Sequence, residues 1–182
     1  QKFAKERFSS DERKKPERKE PERRETVSER RSAKMRTGRN DNRRFEMGTD
    51  DYMKAFKAGK KDYQARMLRG EKPTLQVLDD IMPEKGAYHE VPLGLVQIPV
   101  ERIVGTKTVG RSSSFAGNFM PILLDESEFA AKWVSLSTSH LEEGIREPIK
   151  AYEYMNKFYV EEGNKRVSVL KYFGAVSIPG NV

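Results

Sequence analysis

The first 48 residues contain almost no large apolar side chains, yet they carry 17 Lys/Arg and 10 Asp/Glu. Such a segment cannot bury enough surface to offset the entropy of ordering it. It is therefore expected to be a disordered, charged tail, and the folded part must come from the other 134 residues. The charge is distributed in the same way. The tail holds the whole balance of +7, because the other 134 residues contain 18 Lys/Arg and 18 Asp/Glu. The basic character belongs to the tail, not to the body. A solvated linker is the plain reading of the tail. A nucleic-acid or acidic-partner arm is the sharper one, supported by the net +7 and the Arg pairs at 23–24, 30–31 and 43–44. ERRETVSERRSAKMR has the composition of a transient charged helix.

The chain has no cysteine, which excludes disulfides, Cys-based zinc sites and thiol catalysis. No apolar run is long enough to span a bilayer, and no signal-peptide pattern opens the chain. These features point to a cytoplasmic protein with no membrane association. They leave the oligomeric state open.

Residues 49–90 read as a helical extension. Tyr52, Phe56, Tyr63 and Met67 lie near one helical stripe, and Asp50 and Asp51 suit a helix N-terminus. Gly59 and Gly70 punctuate the stretch, which predicts two short helices. TLQVLDDIM then places Leu75, Leu78 and Met82 at i, i+3 and i+7. The spaced aromatics read as packing residues, with an aromatic-basic nucleic-acid surface as the alternative. EKGAYHE reads as a loop.

Residues 91–182 are the core candidate. Leu95–Ile98 is a strand, with Pro99 at its edge or end. GTKTVGRSSSFAGNF is a Gly/Ser-rich loop of the length more often functional or mobile than decorative. In DESEFAAKWVSLSTSHLEEG, Asp125 is the expected N-cap with Glu128 three positions on. Phe129, Trp133 and Leu136 form that helix's apolar face, and Gly144 stops it. His140 reads as a capping histidine, with a base as the alternative. IREPIKAYEYMNKFYVEEG predicts two strands around Met155-Asn156. RVSVLKYFG is a helix ending at Gly174, and AVSIPGNV begins another strand. A chain ending in a strand suggests a piece of a longer protein.

Tyr159–Gly174 carries the chemistry. Gly163 can adopt the positive φ needed to leave a strand sharply. Asn164 can cap the helix after it. The free N–H groups of the first helical turn then make an anion site. Arg166 adds a planar bidentate donor for phosphate, and Lys165 adds a second cation. Glu161 or Glu162 can hold Mg²⁺ beside the phosphate or orient the arginine. Arg111, after the first strand, can approach from the opposite side, with hydroxyls from Thr106, Thr108, Ser112 and Ser113. Spacing alone is also served by a plain strand–turn–helix with exposed charges.

The order of elements adds to this. Gly144-Ile145, Pro148-Ile149, the hairpin, Gly163-Asn164-Lys165-Arg166, Gly174 and Ile178-Pro179 succeed one another as they do in a ParB-like domain. The stretch Val91–Val182 resembles the ParB/sulfiredoxin superfamily in this respect. That resemblance implies an α+β fold, a small mixed sheet packed with helices. Here the tail and short helices would precede it. It also implies a turn that binds nucleotide phosphates, with CTP or ATP and Mg²⁺ as candidate ligands. Superfamily members include CTP-binding partition proteins, ATP-using sulfiredoxins, a free-serine kinase and proteins described as nucleases. Sulfiredoxin chemistry needs a cysteine in this turn, where Asn164 and Lys165 stand. Partition proteins usually carry Glu after the Gly and a second Arg.

The expected function is binding of a nucleotide or nucleic-acid phosphate at the EGNKR turn, in a DNA-associated or regulatory role. The tail would contact DNA or RNA. The alternatives are a metal-dependent nuclease or a phosphotransferase, with Glu162 as catalytic residue, and a non-catalytic adaptor. On the binding reading, loss of the Arg166 side chain removes ligand and spares the fold.

Overall fold

The structure is a computed structural model describing residues 27–82 and 88–182, with side chains described from residue 45 onward. The expectations for residues 1–26, and for most of the EKGAYHE loop, lie outside the described residues. Contacts group residues 38–182 into one unit and 1–37 into another.

A single helix, α1 (Val27–Leu68), replaces the two short helices expected from Gly59. It begins well upstream of position 48, where composition placed the end of the tail. Gly59 does not break the helix because it serves close packing. A Cβ there would collide with the carbonyl oxygen of Pro121, and one at Gly48 would come within 2.9 Å of Val134 Cγ1. Both glycines are buried on the inward face of α1, beside Tyr52 and Ala55.

Leu75 and Leu78 are buried as their spacing suggested, but not on one helix. Gln76–Val77 forms a short strand, β1, succeeded by a single turn of helix, α2 (Leu78–Ile81). Strand β1 pairs in parallel with β3 (Ile103–Thr106) at Gly105 and Thr106. Gly105 makes this pairing possible, since a side chain there would run into the Gln76 carbonyl. Pairing with a ready strand outweighs a weak helical pattern in so short a segment.

Strand β2 (Leu95–Pro99) leads through a 3₁₀ turn to β3. A short helix α3 (Val109–Ser112) comes next, and then α4 (Glu128–Glu142). The hairpin strands are β4 (Ile149–Tyr154) and β5 (Lys157–Glu162), antiparallel around Met155 and Asn156. Both turn residues have positive φ, 50° and 65°, as a two-residue primed turn requires. Arg102 donates to the Asn156 carbonyl at 3.0 Å and to Glu153 at 3.1 Å, fixing the turn. Helix α5 (Asn164–Tyr172) and strand β6 (Ser177–Asn181) complete the fold.

The protein is a mixed α/β fold with a six-stranded mixed sheet, ordered β1-β3-β5-β4-β6-β2. Strand β2 lies at one edge with Pro99 as its last residue, where a missing N–H is tolerated. One face of the sheet supplies Ile98, Ile103, Ile149, Phe158, Val160 and Ile178 to the core, against Val167 and Leu170 of α5. A second cluster joins α1, α4 and α5 through Tyr52, Trp133 and Val169. The segment read as a helical extension thus contributes both a strand and core residues to this unit.

The Gly/Ser-rich segment packs instead of standing free. Phe115, Ala116 and Phe119 are fully buried, and Phe115 bridges to Pro121. Helix α4 starts later than expected. Ser127 is its N-cap, accepting from Ala130 N at 3.1 Å, and Asp125 lies outside the helix.

Replacing glycine by alanine within a helix normally stabilises by about 1 kcal/mol. Gly59→Ala is expected to reverse that sign and destabilise by roughly 1–3 kcal/mol, the range for overpacking. Urea denaturation reads this directly. Lys171 donates to the Ile103 carbonyl at 2.8 Å and lies over the Phe119 ring, and burial pushes its ammonium down to about 8 from 10.5. Between those values the unfolded chain holds the extra proton, so stability rises with pH from about 8. The rise is expected to disappear in Lys171→Met. Above about 10 the slope reverses, because burial pushes the Tyr52 hydroxyl up to about 12 while the unfolded tyrosine ionises near 10.

Candidate functional site

The turn after β5 is shaped by two demands on Gly163. Its φ of 101° lies in the left-handed region. A Cβ there would also come within 2.7 Å of Ile149 Cγ2. Gly163 itself is the N-cap of α5, and no side chain caps this helix end. Asn164, expected to cap, is instead the first helical residue. It is buried to 7% exposure, and its Oδ1 has no hydrogen-bond partner among the described residues. The first intrahelical bond runs from Val167 N to the Gly163 carbonyl at 3.0 Å. The N–H groups of residues 164–166 precede it and remain free for a ligand.

A cleft of about 270 Å³ opens in front of this helix end. Glu161, Glu162 and Gly163–Arg166 form one wall. Arg111, Ser114 and Phe115 come from the α3 loop, Phe129 and Leu136 from α4, and Glu147 from the approach to β4. The structure therefore gathers all seven residues singled out in sequence: Glu161, Glu162, Gly163, Asn164, Lys165, Arg166 and Arg111. It adds Ser114, Phe115, Phe129, Leu136 and Glu147. Phe129 and Leu136 belonged to an apolar stripe, which reads as core; Ser114 and Phe115 lie in the Gly/Ser-rich segment, and no local signal marked Glu147.

Two cations of the cleft have no carboxylate partner among the described residues: neither Arg111 nor Lys165 has one within ion-pair distance. Lys165 Nζ lies 4.8 Å from the Phe129 ring centroid. Burial holds its pKa below the usual lysine value, and repulsion from Lys132 and Arg111 adds to this. Lys132 is paired with Glu128.

Arg166 has a different position from the other two. Its side chain is 12% exposed, and Nη1 donates to the Pro148 carbonyl at 2.8 Å and to the Glu147 carbonyl at 3.1 Å. Nη1 also pairs with Glu147 Oε2 at 3.2 Å. Arg166 thus ties α5 to the segment that starts β4.

The carboxylates diverge. Glu161 pairs with Lys107 at 3.3 Å, and that lysine also donates to the Tyr152 hydroxyl at 2.7 Å. Glu162 lies 3.8 Å from Lys150 and 3.9 Å from Arg166. The described residues contain no cluster of three His, Asp or Glu able to hold a metal by themselves. A magnesium ion sharing a ligand's phosphate oxygens and water needs only one of these carboxylates.

Other candidates are placed elsewhere. Thr106 donates to the Val160 carbonyl and Ser112 to the Val109 carbonyl, so both hydroxyls serve the backbone. His140 accepts from Ile145 N at 3.4 Å and packs on Phe173, the structural arrangement expected of a histidine at a helix C-terminus. Trp133 is fully buried, with Nε1 donating to Ser168 Oγ at 2.9 Å.

In comparisons with known proteins, no family model, curated protein or solved structure matches this chain.

The geometry reassigns the cost of losing Arg166. Arg166→Ala is expected to destabilise by about 1–3 kcal/mol, because the part-buried Pro148 carbonyl and the exposed Glu147 carbonyl lose a charged donor. Chemical denaturation measures this. An unchanged midpoint would show that these bonds contribute nothing.

Proposed function

We propose that the cleft binds the phosphate of a nucleotide, held by the free N–H groups of α5 and by Lys165 and Arg111. The observation that carries this reading is the grouping, in one cleft, of two cations that have no carboxylate partner among the described residues with an uncapped helix N-terminus. Each of these raises the energy of the empty cleft. An anion relieves the Lys165–Arg111 repulsion and satisfies the helix dipole together. The order of elements around the turn supports a ParB-like domain as the setting, with CTP or ATP as the ligand.

Within this reading the residues divide their roles. Gly163 lets the phosphate approach the backbone. Lys165 and Arg111 neutralise it from two sides. Arg166 and Glu147 keep the turn in register with β4. Phe129 and Phe115 offer an apolar wall to the remainder of the ligand. Glu162, 63% exposed and only in long ion pairs with Lys150 and Arg166, would be the residue to meet a Mg²⁺ arriving with the nucleotide, which would supply charge neutralisation there. Glu162, on the cleft wall beside the α5 N-terminus, favours metal-dependent phosphoester cleavage as the second reading.

Calorimetry with CTP, ATP and GTP, with and without Mg²⁺, tests the proposal. The unmodified chain is expected to bind at least one of them. Lys165→Gln and Arg111→Gln are each expected to weaken binding about tenfold, the loss of roughly 1.4 kcal/mol. Binding should also weaken as pH rises through the Lys165 titration, below the 10.5 of an ordinary lysine. The sign is set by the ligand, which favours the charged amine. Absence of binding by any nucleotide would sink the proposal. Mg²⁺-dependent nicking of plasmid DNA, lost in Glu162→Gln, would instead establish the second reading.

A further inference from the structure

The two edges of the sheet differ in how they are guarded. Strand β1, at one edge, is two residues long and runs straight into α2, where Asp79 and Asp80 are exposed. A very short strand beside charge is a protected edge. Strand β2, at the other edge, covers five residues, LVQIP, with no charge among them. Leu95 is 66% exposed, and Val91 and Leu93 just before it are 71% and 52% exposed.

The hydrogen bonds fix which backbone groups of β2 are free. Val182 donates to the Gly94 carbonyl at 3.0 Å, and Val100 donates to the Val176 carbonyl at 3.0 Å. The strands are antiparallel with Ile98 opposite Ile178, so residues 94, 96, 98 and 100 face β6. Leu95, Gln97 and Pro99 face the open edge. Pro179, which has no N–H, lies opposite Gln97, where the β2–β6 ladder asks for none. Among the described residues, no backbone group meets Leu95 or Gln97 on the open side. This free stretch is bounded at both ends. Pro99 has no donor. Leu93 N and the Gly94 carbonyl both bond Val182, a bulge at the positive φ of Gly94, 75°, and the Leu93 N–H is thereby engaged.

We propose that β2 pairs antiparallel with β2 of a second copy of this chain, about a two-fold axis at Val96. In that register Leu95 exchanges both backbone bonds with Gln97 of the second copy, and Gln97 does so with its Leu95. Pro99 falls opposite Leu93 of the second copy, so a residue without a donor meets one whose donor is already engaged. An axis at Gln97 would instead set Pro99 against Leu95 and leave the Leu95 carbonyls unpaired. A foreign strand running straight past both ends would find no N–H opposite its carbonyls at Pro99 or at Leu93. The edge is therefore complementary to itself, as a two-fold interface requires. The pairing brings the two Leu95 side chains together diagonally and opposes no like charges. No residue of β2 lines the cleft, so this contact stands whether or not the cleft binds a nucleotide.

Sedimentation equilibrium of the unmodified chain, from micromolar to submillimolar concentration, should give twice the chain mass. Gln97→Pro removes the outward N–H and spares the β6 ladder, and it should raise the dimer dissociation constant by about tenfold. Leu95→Lys keeps every backbone donor and opposes like charges across the axis, so it should act in the same direction. It carries the test if the proline variant does not fold, and circular dichroism should show its fold unchanged. The chain has no cysteine, so a short bis-maleimide cross-linker reports position. Leu95→Cys should be trapped as a dimer, whereas Leu124→Cys, at a position 68% exposed, should not. A dimer that persists undiminished in Leu95→Lys, or equal cross-linking at both positions, would overturn the proposal. So would an unmodified chain that stays monomeric throughout, which would leave the edge to a strand of another protein.

Discussion

Trp133 holds the three long helices of this protein together. Its indole meets Tyr52 of α1 and Tyr172 of α5 edge-on, with ring centroids 5.5 and 5.6 Å away. Its N–H donates to Ser168, so the one polar atom of the ring is satisfied in the interior. Edge-to-face packing and a paired indole N–H make a buried tryptophan favourable instead of costly. The consequence reaches the cleft. Residue 133 sits one turn along α4 from Phe129, and Ser168 sits one turn along α5 from Asn164. Fixing Trp133 therefore fixes how the Phe129 wall faces the α5 N-terminus.

The second constraint is the join between α5 and β4. Gly163 leaves no room for a side chain beside Ile149, and Arg166 bonds the backbone just before that isoleucine. These contacts draw the turn tight against the sheet. They also commit Nη1 of Arg166 to those carbonyls and to the Glu147 carboxylate. Lys165 and Arg111, which repel each other, have no carboxylate partner among the described residues.

Much of this was legible in the residues. The hairpin at Met155-Asn156 follows from two strand-forming runs around a turn pair. The α5 helix, its start after Gly163 and its stop at Gly174 follow from glycines at both ends. The burial of Trp133 and Phe129 follows from helical spacing. Where local reading fails, a partner outside the segment decides the outcome. Gly59 reads as a helix break, but it is a contact surface for Pro121. Leu75 and Leu78 read as one helix, but β3 offers Gln76 and Val77 a strand to pair with. Asp125 reads as a cap, but Ser127 sits where the first free N–H points. Arg166 reads as a phosphate ligand, and nothing in the sequence announces that it also bonds the Pro148 carbonyl 18 positions earlier.

The sequence by itself determined the strand–turn–helix that carries the candidate site, the residue types within it, and the concentration of net charge in the first 48 positions. These depend on backbone freedom, helix periodicity and composition, all of which are local. Only the tertiary structure decided which cations of the cleft lack a carboxylate partner, and that Asn164 Oδ1 is buried with no hydrogen-bond partner among the described residues. Each of those depends on what lies across a few ångströms of space from residues distant in the chain. Burial and pairing, not residue type, settle whether a charge holds the fold or awaits a ligand.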